Sequence, residues 1–316
     1  MTAFKNLHDI YKAFPDDQAC TEYLENLRWG STPVCPHCGS VNAWKLKNGK
    51  TYKCSFDECN KKFTVTVGTI FEGTKIPLQK WFLAIYLATA HKKGISSLQL
   101  SRDLGITQKS AWFVLHRVRE MLSANAPVML SGTVEVDETY VGGKLANKHK
   151  SKRRKKIPGQ FKLSKGPLEN KTIVIGLLAN NSIVVNKIIN ETSTATLHKI
   201  MVDHVAKDSI VTTDGLPAYR GLYEFDYTHI VVDHAKDQYV VLGNYHTNGI
   251  EGYWSQLKRG IIGIYHSVSP KHLHRYCDEF TFRYNTRKQT ESERFRDSIK
   301  QAEGRRLTYQ RLISDI

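Results

Sequence analysis

The sequence predicts an α/β domain in which a mixed β-sheet carries helices on its faces, and three observations support this prediction. Three strand-like segments follow one another at 133–141, 172–179 and 183–189. Helix and strand patterns then alternate along the rest of the domain, which places helices on the faces of the sheet. A doubly wound sheet would alternate from its first strand and carry a glycine-rich turn there, so the pattern favours a mixed sheet.

The composition allows one large domain with one or two small ones and favours a polyanionic partner. The chain has 316 residues, 41% of them hydrophobic, and a formal net charge of +16 with a pI of about 9.5. Such an excess is typical of proteins that bind nucleic acid, and basic tails on a soluble protein are the alternative. The N-terminus lacks the apolar core of a signal peptide, and the apolar stretch 81–90 is too short to span a bilayer. We therefore expect a cytoplasmic protein without a membrane partner.

Two close pairs of cysteines follow an N-terminal segment, 1–30, which is predicted to hold a helix over 15–29. The spacing C-x2-C, fifteen residues, then C-x4-C is formed in residues 31–72 by Cys35, Cys38, Cys54 and Cys59. Two such pairs joined by a hairpin surround Zn²⁺ tetrahedrally, and so short a segment could hardly fold without the metal. The sequence therefore predicts a structural zinc ribbon. Its role is open between a staple for protein contacts and a DNA contact made by Lys45, Lys47, Lys50 and Lys53.

A helical block occupies residues 76–125, and two glycines divide it into three helices. Gly105 is predicted to make the turn of a helix-turn-helix, and Thr107 to cap its second helix. The N-terminal residues of such a helix usually meet base edges. We predict this role for Gln108, Lys109, Ser110 and Trp112. The alternative is a helical hairpin without contact to DNA.

The large domain is predicted to cover 130–290, and a tail, 291–316, follows it. After the three strands we expect a helix, a strand, a short helix, a strand and two helices, at 194–206, 210–213, 217–222, 227–232, 247–261 and 270–285.

A basic insert, 142–170, separates the first two strands. Eleven lysines or arginines and one glutamate lie between Lys144 and Lys171. Because of this charge we expect no fixed structure over 148–156 in the free protein. We predict phosphate contacts that do not read sequence, made by Lys152, Arg153, Arg154, Lys155 and Lys156.

Three acidic residues stand at positions suited to a metal-dependent phosphodiester chemistry. Asp137 and Asp214 lie in or directly after β-branched strand segments, and Glu251 lies in an amphipathic helix. Carboxylates brought together from separate elements repel one another unless cations lie between them. The three are therefore predicted to bind a pair of divalent cations, Mg²⁺ or Mn²⁺, for cutting and joining DNA strands.

Neighbouring residues complete the predicted set. Lys258 lies seven residues after Glu251, so both project from one helix face and the ammonium can reach a substrate phosphate. Asn248 could replace or supplement Glu251 as an oxygen ligand. His246 is expected to belong to the helix entry. By strand alternation, Glu138 is expected to point elsewhere.

These residues resemble bacterial insertion-sequence transposases of the DDE type, in the subgroup with an N-terminal zinc ribbon. The resemblance extends over nearly the whole chain. It is carried by six segments: Arg28-Trp29, Cys35-Pro-His-Cys-Gly39, Glu135-Val-Asp-Glu-Thr-Tyr-Val-Gly-Gly143, Thr213-Asp-Gly215, His246-Thr-Asn-Gly-Ile-Glu-Gly-Tyr-Trp-Ser-Gln-Leu-Lys-Arg-Gly260 and Asp278-Glu-Phe-Thr-Phe-Arg-Tyr-Asn285.

The resemblance implies a ribonuclease-H-like catalytic domain, with Asp137, Asp214 and Glu251 as the acidic triad and Lys258 assisting. It implies a transposase that binds the terminal inverted repeats of its element in double-stranded DNA, cuts there and joins the ends to a target. Because two ends must be brought together, we expect a homodimer or a higher oligomer. Two alternatives are a non-catalytic DNA-binding regulator and a metal-dependent nuclease that does not join strands.

Overall fold

The structure of the chain is a computed structural model that describes residues 4–123, 128–143, 171–180, 182–233 and 240–314. The chain divides into two compact units, Met1–Leu122 with Lys288–Ser314 and Ser123–Arg287. The predicted phosphate contacts at 152–156 lie outside the described residues. None of the described helices is long and apolar enough to cross a membrane.

The elements are named in chain order. The helices are α1 Leu7–Ala13, α2 Asp17–Trp29, α3 Leu78–Ala90, α4 Ser97–Leu104, α5 Gln108–Leu122, α6 Thr194–His204, α7 Asn248–Gly260, α8 Pro270–Asn285, α9 Glu291–Lys300 and α10 Tyr309–Ser314. The strands are β1 Ala43–Lys45, β2 Tyr52–Cys54, β3 Lys62–Phe63, β4 Thr133–Val141, β5 Thr172–Ala179, β6 Ile183–Ile189, β7 Ile210–Thr213 and β8 Thr228–Val231.

The first unit contains the ribbon strands and five N-terminal helices. The ribbon is a three-stranded antiparallel sheet in the order β1-β2-β3. In the helical block, Ser96 caps α4, and Gly105 ends it in the left-handed conformation (φ 58°, ψ 46°) that glycine adopts without strain. The Thr107 hydroxyl then accepts the backbone N–H of Ser110 at 3.2 Å, which caps α5 as predicted.

The tail is helical and belongs to the first unit, although its sequence offered little to interpret. Phe295 of α9 is fully buried and contacts the rings of Phe4, Phe14 and Phe82. Tyr309 of α10 meets Phe113 edge to face. The apolar residues of the tail are sparse, and their partners belong to the N-terminal part of the chain, so local periodicity could not reveal this packing.

The second unit is a five-stranded mixed sheet in the order β6-β5-β4-β7-β8. The first three strands are antiparallel neighbours, whereas β4, β7 and β8 run parallel. Every residue of β5 is buried, because α6 covers one face of the sheet and α7 with α8 covers the other. This arrangement of strands and helices is ribonuclease-H-like. The predicted bounds of β4, β5, β6 and β7 agree with the structure, whereas α1 was not predicted.

Candidate active site

The acidic site lies where β7 ends beside β4. The two strands are parallel, and Val136 pairs with Thr213, the last residue of β7. Asp137 and Asp214 each follow this pair, so both carboxylates leave the sheet at the same edge. Carboxylate oxygens of Asp137, Glu138 and Asp214 lie within 4.8 Å of one another. The structure therefore brings together the two predicted aspartates.

Glu138 also belongs to this cluster, so the expectation that it points elsewhere is wrong. Successive side chains of a strand do leave on opposite faces. However, the pairing of β4 with β7 ends at Val136. Beyond that residue no described strand neighbours β4 on this side, so nothing keeps the side chains of its two faces apart there. The buried hydroxyl of Tyr219 donates a hydrogen bond to Glu138 Oε1 and fixes its carboxylate there.

Burial and crowding raise the pKa of two of these carboxyl groups. Burial raises the pKa of Asp137 to about 6, and the charges of Asp214 and Glu251 add to the shift. Burial also raises the pKa of Glu138 to about 7, although the hydrogen bond from Tyr219 opposes it. Negative charge is therefore costly at this edge of the sheet, and a divalent cation would relieve the repulsion.

An indole orients Asp137. Trp254 of α7 donates its Nε1–H to Asp137 Oδ2 at 3.0 Å. Gly176 of β5 is the cross-strand partner of Asp137. Because it has no side chain, it leaves the space that the indole fills. A Cβ at Gly176 would lie 2.5 Å from Trp254 Cζ2 and 2.9 Å from Ile250 Cδ1, closer than atoms can approach. Gly176 thus lets Trp254 reach the aspartate.

A second buried carboxylate anchors the beginning of α7 to the sheet. Glu135 lies two residues before Asp137, on the same face of β4, and only 5% of it is exposed. Its Oε2 accepts the backbone N–H of Ile250 at 2.9 Å, and its Oε1 lies 3.5 Å from His246 Nδ1. A carboxylate at a helix N-terminus also interacts favourably with the helix dipole. Glu135 therefore positions the helix that carries Glu251.

The third predicted acid lies on the first turn of α7. Glu251 is exposed and accepts a hydrogen bond from the Thr247 hydroxyl at 3.1 Å. Among the described residues, the cluster with all oxygens within 4.8 Å does not include Glu251. Its charge nevertheless adds to the raised pKa of Asp137, after burial and the charge of Asp214. Asn248 and Lys258 are also exposed on this helix.

The four ribbon cysteines converge as their spacing predicts. Cys35 Sγ lies 3.8 Å from Cys59 Sγ, and Cys38 Sγ lies 3.6 Å from Cys54 Sγ. All four sulfurs lie within 4.8 Å of one another. Tetrahedral Zn–S bonds of about 2.3 Å separate sulfurs by about 3.8 Å, so the set fits zinc.

Two known protein families match this chain. Residues 129–285 match the ISXO2-like transposase domain, and residues 15–62 match the transposase zinc-ribbon domain. The chain belongs to the DDE-type insertion-sequence transposases with an N-terminal zinc ribbon. The match to the first model includes Asp137, Asp214 and Glu251, and the match to the second includes all four cysteines.

Individual relatives of this transposase are distant. A protein described as an uncharacterized protein in transposable element ISH50 of Halobacterium salinarum is 27% identical over 278 residues, which cover 86% of this chain and 92% of the relative. The Mos1 transposase paired-end complex with left transposon end has 11% identity and a TM-score of 0.28, over 70% of this chain and 80% of that one. The Mos1 strand transfer complex has 13% identity and a TM-score of 0.28, over 70% and 78%.

The predicted DNA-reading residues of the transposase lie at the beginning of α5. Gln108 and Lys109 are exposed, and Gln108 Nε2 donates to Ser97 Oγ of α4 at 2.8 Å. The Lys109 ammonium lies 5.2 Å from the ring centre of Tyr309. Ser110 is half-buried, and so is Trp112, whose ring packs 4.3 Å from that of His116.

Three residues of the site were not singled out by the sequence interpretation: Glu135, Glu138 and Trp254. Glu135 and Asp137 have the i, i+2 spacing of one strand face, which could have marked Glu135. Trp254 lies one turn after Glu251, but nothing in the sequence shows which residue its indole meets. The position of Glu138 depends on where β7 ends beside β4.

Proposed function

We propose that this transposase cuts DNA at the ends of its insertion sequence and joins those ends to a target, with divalent cations held at the acidic cluster. The observation that carries the proposal is the convergence of Asp137, Glu138 and Asp214 within 4.8 Å at one edge of the sheet. Such an oxygen-rich set suits Mg²⁺ or Mn²⁺. When bound, two such ions would activate the attacking hydroxyl and stabilise the departing oxygen of an in-line displacement.

The protein's own groups have separate tasks in this proposal. Asp137 is oriented by accepting the indole N–H of Trp254 at 3.0 Å, and Asp214 by accepting the N–H of Leu216 at 3.1 Å; both would hold the cations. Glu251, with Asn248 as the alternative, supplies the third ligand from the first turn of α7, the helix whose Trp254 binds Asp137. Lys258, exposed on the same helix, contacts a substrate phosphate.

Double-stranded DNA is the proposed substrate. The helix-turn-helix reads the terminal inverted repeats through Gln108 and Lys109, which are exposed at the beginning of α5. The basic residues 152–156 contact DNA phosphates and do not distinguish one base sequence from another. A homodimer or a larger assembly brings the two ends together.

A strand-transfer reaction on supercoiled donor DNA with the element ends tests the proposal. Asp137→Ala and Asp214→Ala should each lose cleavage and joining by at least about 10³-fold, because each removes a cation ligand. Asp203→Ala is the matched control, since Asp203 is an exposed acid on α6. Full activity in either active-site variant would show that the acidic cluster is not the catalytic site. Cleavage by the unaltered protein without joining would indicate a nuclease.

The third ligand can be identified in the same reaction. If Glu251 binds the cation, Glu251→Ala should lose activity as fully as Asp137→Ala, and Asn248→Ala should retain most of it. The reverse result would assign the position to Asn248. Equal retention by both variants would leave Glu138 as the third acid of the cluster.

A further inference from the structure

The outward face of the zinc ribbon carries one row of side chains across its three strands. Trp44 of β1 pairs with Lys53 of β2, and Lys53 pairs in turn with Lys62 of β3. Directly paired residues of antiparallel strands project from the same face of a sheet. Trp44, Lys53 and Lys62 therefore form a continuous row, called here the Trp–Lys–Lys row.

The opposite face of the ribbon is committed to packing. Tyr52 and Phe63 stack with ring centres 5.6 Å apart, and Trp29 of α2 meets both rings edge to face. Lys45 belongs to this inner face, where its ammonium pairs with Glu25 of α2 at 2.8 Å. Lys45 therefore anchors the ribbon to α2, and of the lysines considered for a DNA contact only Lys53 belongs to the row.

The outward row combines an exposed indole with two lysines. Trp44 is 48% exposed, and the Lys53 ammonium lies 5.7 Å from the centre of its ring, a favourable cation–π contact. Lys53 and Lys62 are directly opposite each other, and like charges in that position destabilise a sheet. No carboxylate of the described residues lies within ion-pair distance of either ammonium. A polyanion on this face would neutralise both charges and cover the indole.

We propose that the Trp–Lys–Lys row is a second DNA-binding surface of the transposase, separate from the helix-turn-helix. Adjacent strands are about 5 Å apart, so the two ammonium groups can meet neighbouring phosphates of one DNA strand. The indole then packs against the sugar or base beside them, as aromatic residues do in nucleic-acid sites. Because phosphates are alike in every sequence, this surface binds duplex DNA without reading it. The proposal rests on the proposed function only in taking DNA as the substrate.

Binding of labelled duplexes by the full-length zinc-loaded protein tests the row, in buffer without magnesium so that no cleavage occurs. One duplex carries the element end and the other a shuffled sequence. The double variant Lys53→Ala/Lys62→Ala should weaken binding of both duplexes about ten-fold. It should also lower the slope of log affinity against log salt by about 2, one unit for each lost phosphate contact.

The matched control is Lys47→Ala/Lys50→Ala, which removes the same charge from the turn between β1 and β2. Its salt slope should fall by less than half as much. An unchanged slope in the row variant, or equal changes in the two pairs, would overturn the proposal. A loss confined to the element-end duplex would also overturn it, because the row would then read sequence.

Two single variants separate a binding role from a structural one. Trp44→Ala should weaken binding about five-fold and remove the fluorescence quenching that DNA causes in the unaltered protein. Lys62→Thr should raise the melting temperature, because it relieves the repulsion with Lys53, while it weakens DNA binding. A Lys62→Thr protein that is less stable, or that binds DNA normally, would contradict the proposal.

This test is independent of the catalytic assignment. Asp203→Ala should bind both duplexes normally in magnesium-free buffer, because Asp203 is an exposed acid that belongs neither to the ribbon nor to the acidic cluster. If the row variants bind DNA normally but Asp137→Ala abolishes strand transfer, only the second DNA-binding surface is refuted. If the row variants bind DNA weakly but the unaltered protein does not join strands, only the proposed catalysis is refuted.

Discussion

Trp254 holds one oxygen of Asp137 through its indole N–H at 3.0 Å, and this bond fixes the direction of the aspartate. The carboxylate so oriented lies in the cluster with Glu138 and Asp214. The bond links α7 to β4, so the helix that carries Glu251 also sets the geometry of the first acid.

Trp254→Phe should impair the use of metal. The phenyl ring is smaller than the buried indole, so some stability is lost to a cavity. Asp137 also loses a donor, which costs about 1–3 kcal/mol for a hydrogen bond to a charged group. We expect about a ten-fold lower strand-transfer rate and a higher magnesium concentration at half-maximal rate. Tyr253→Phe is the control, because its buried hydroxyl contacts Asn186 and Thr281 and not Asp137. Identical magnesium curves for the two variants would contradict the orienting role of Trp254.

Gly176→Ala should displace Trp254 and destabilise the second unit. The added Cβ would lie 2.5 Å from the indole, and such overpacking costs about 1–3 kcal/mol. Urea unfolding measures the loss, and strand transfer should fall with it. Gly252→Ala is the control, since a Cβ there meets nothing within 4 Å. Combining Gly176→Ala with Trp254→Phe should cost less than the sum of the two, because the same contact is removed.

Glu135→Ala should loosen the beginning of α7. It leaves the buried N–H of Ile250 without its acceptor, which costs about 1–3 kcal/mol. Hydrogen exchange should speed up at Ile250, and strand transfer should fall because Glu251 is no longer held near Asp137. Glu135→Gln keeps an acceptor oxygen and should be milder. Unchanged exchange in Glu135→Ala would refute the anchoring role.

The stability of the magnesium-free protein should depend on pH through Asp137 and Glu138. Folding raises the pKa of these groups from 3.8 and 4.5 to about 6 and about 7, so the folded state favours their protonated forms. Their contribution is complete below about pH 4 and is lost as the pH rises through 6 and 7. Asp137→Asn/Glu138→Gln should therefore gain stability relative to the unaltered protein between pH 5 and 8 in thermal unfolding. A constant difference would show that the two carboxyl groups are not in the buried, crowded setting described.

Added magnesium gives the complementary measurement. Protons and the cation compete for the same oxygens, so magnesium should raise the melting temperature more at pH 8 than at pH 5.5. Asp137→Asn/Glu138→Gln should lose this response at both values.

Removal of one ribbon ligand should unfold the ribbon. In Cys54→Ser the remaining three thiolates bind zinc much more weakly, and the stack of Tyr52 on Phe63 loses its support. We expect loss of the single bound zinc ion, measured by metal analysis, together with weaker DNA binding. Cys20→Ala should keep its zinc, because Cys20 is a buried thiol outside the four-cysteine set.

Much of the framework could be predicted because it depends on local patterns. The bounds of β4 and β7 follow from runs of β-branched residues, and parallel neighbours end at one edge of the sheet. The sequence predicted that Asp137 and Asp214 converge because each lies in or directly after such a run, whereas the parallel pairing that brings them to one edge is a feature of the structure. The cysteine spacing specified the zinc set in the same way, since four ligands within 25 residues leave few geometries.

The rest depended on contacts between distant segments. Glu138 joins the cluster at a point of β4 that β7 no longer accompanies, because the pairing of the two strands ends at Val136. Alternation along β4 alone predicted that Glu138 points away from the cluster. Glu251 stayed a prediction as a cation ligand, because its distance from the aspartates depends on how α7 docks. The tail was uninterpretable until Phe295 was seen among rings from the N-terminal helices.

By itself the sequence determined the kind of protein: a basic chain with a four-cysteine zinc ribbon and with acids in or directly after strands, because periodicity and spacing are written in consecutive residues. Only the tertiary structure decided which side chains serve those acids. Trp254 contacts Asp137 because Gly176 leaves room for the indole. Trp254 lies 117 positions from Asp137 and 78 from Gly176, so no pattern of neighbouring residues could predict that the three meet.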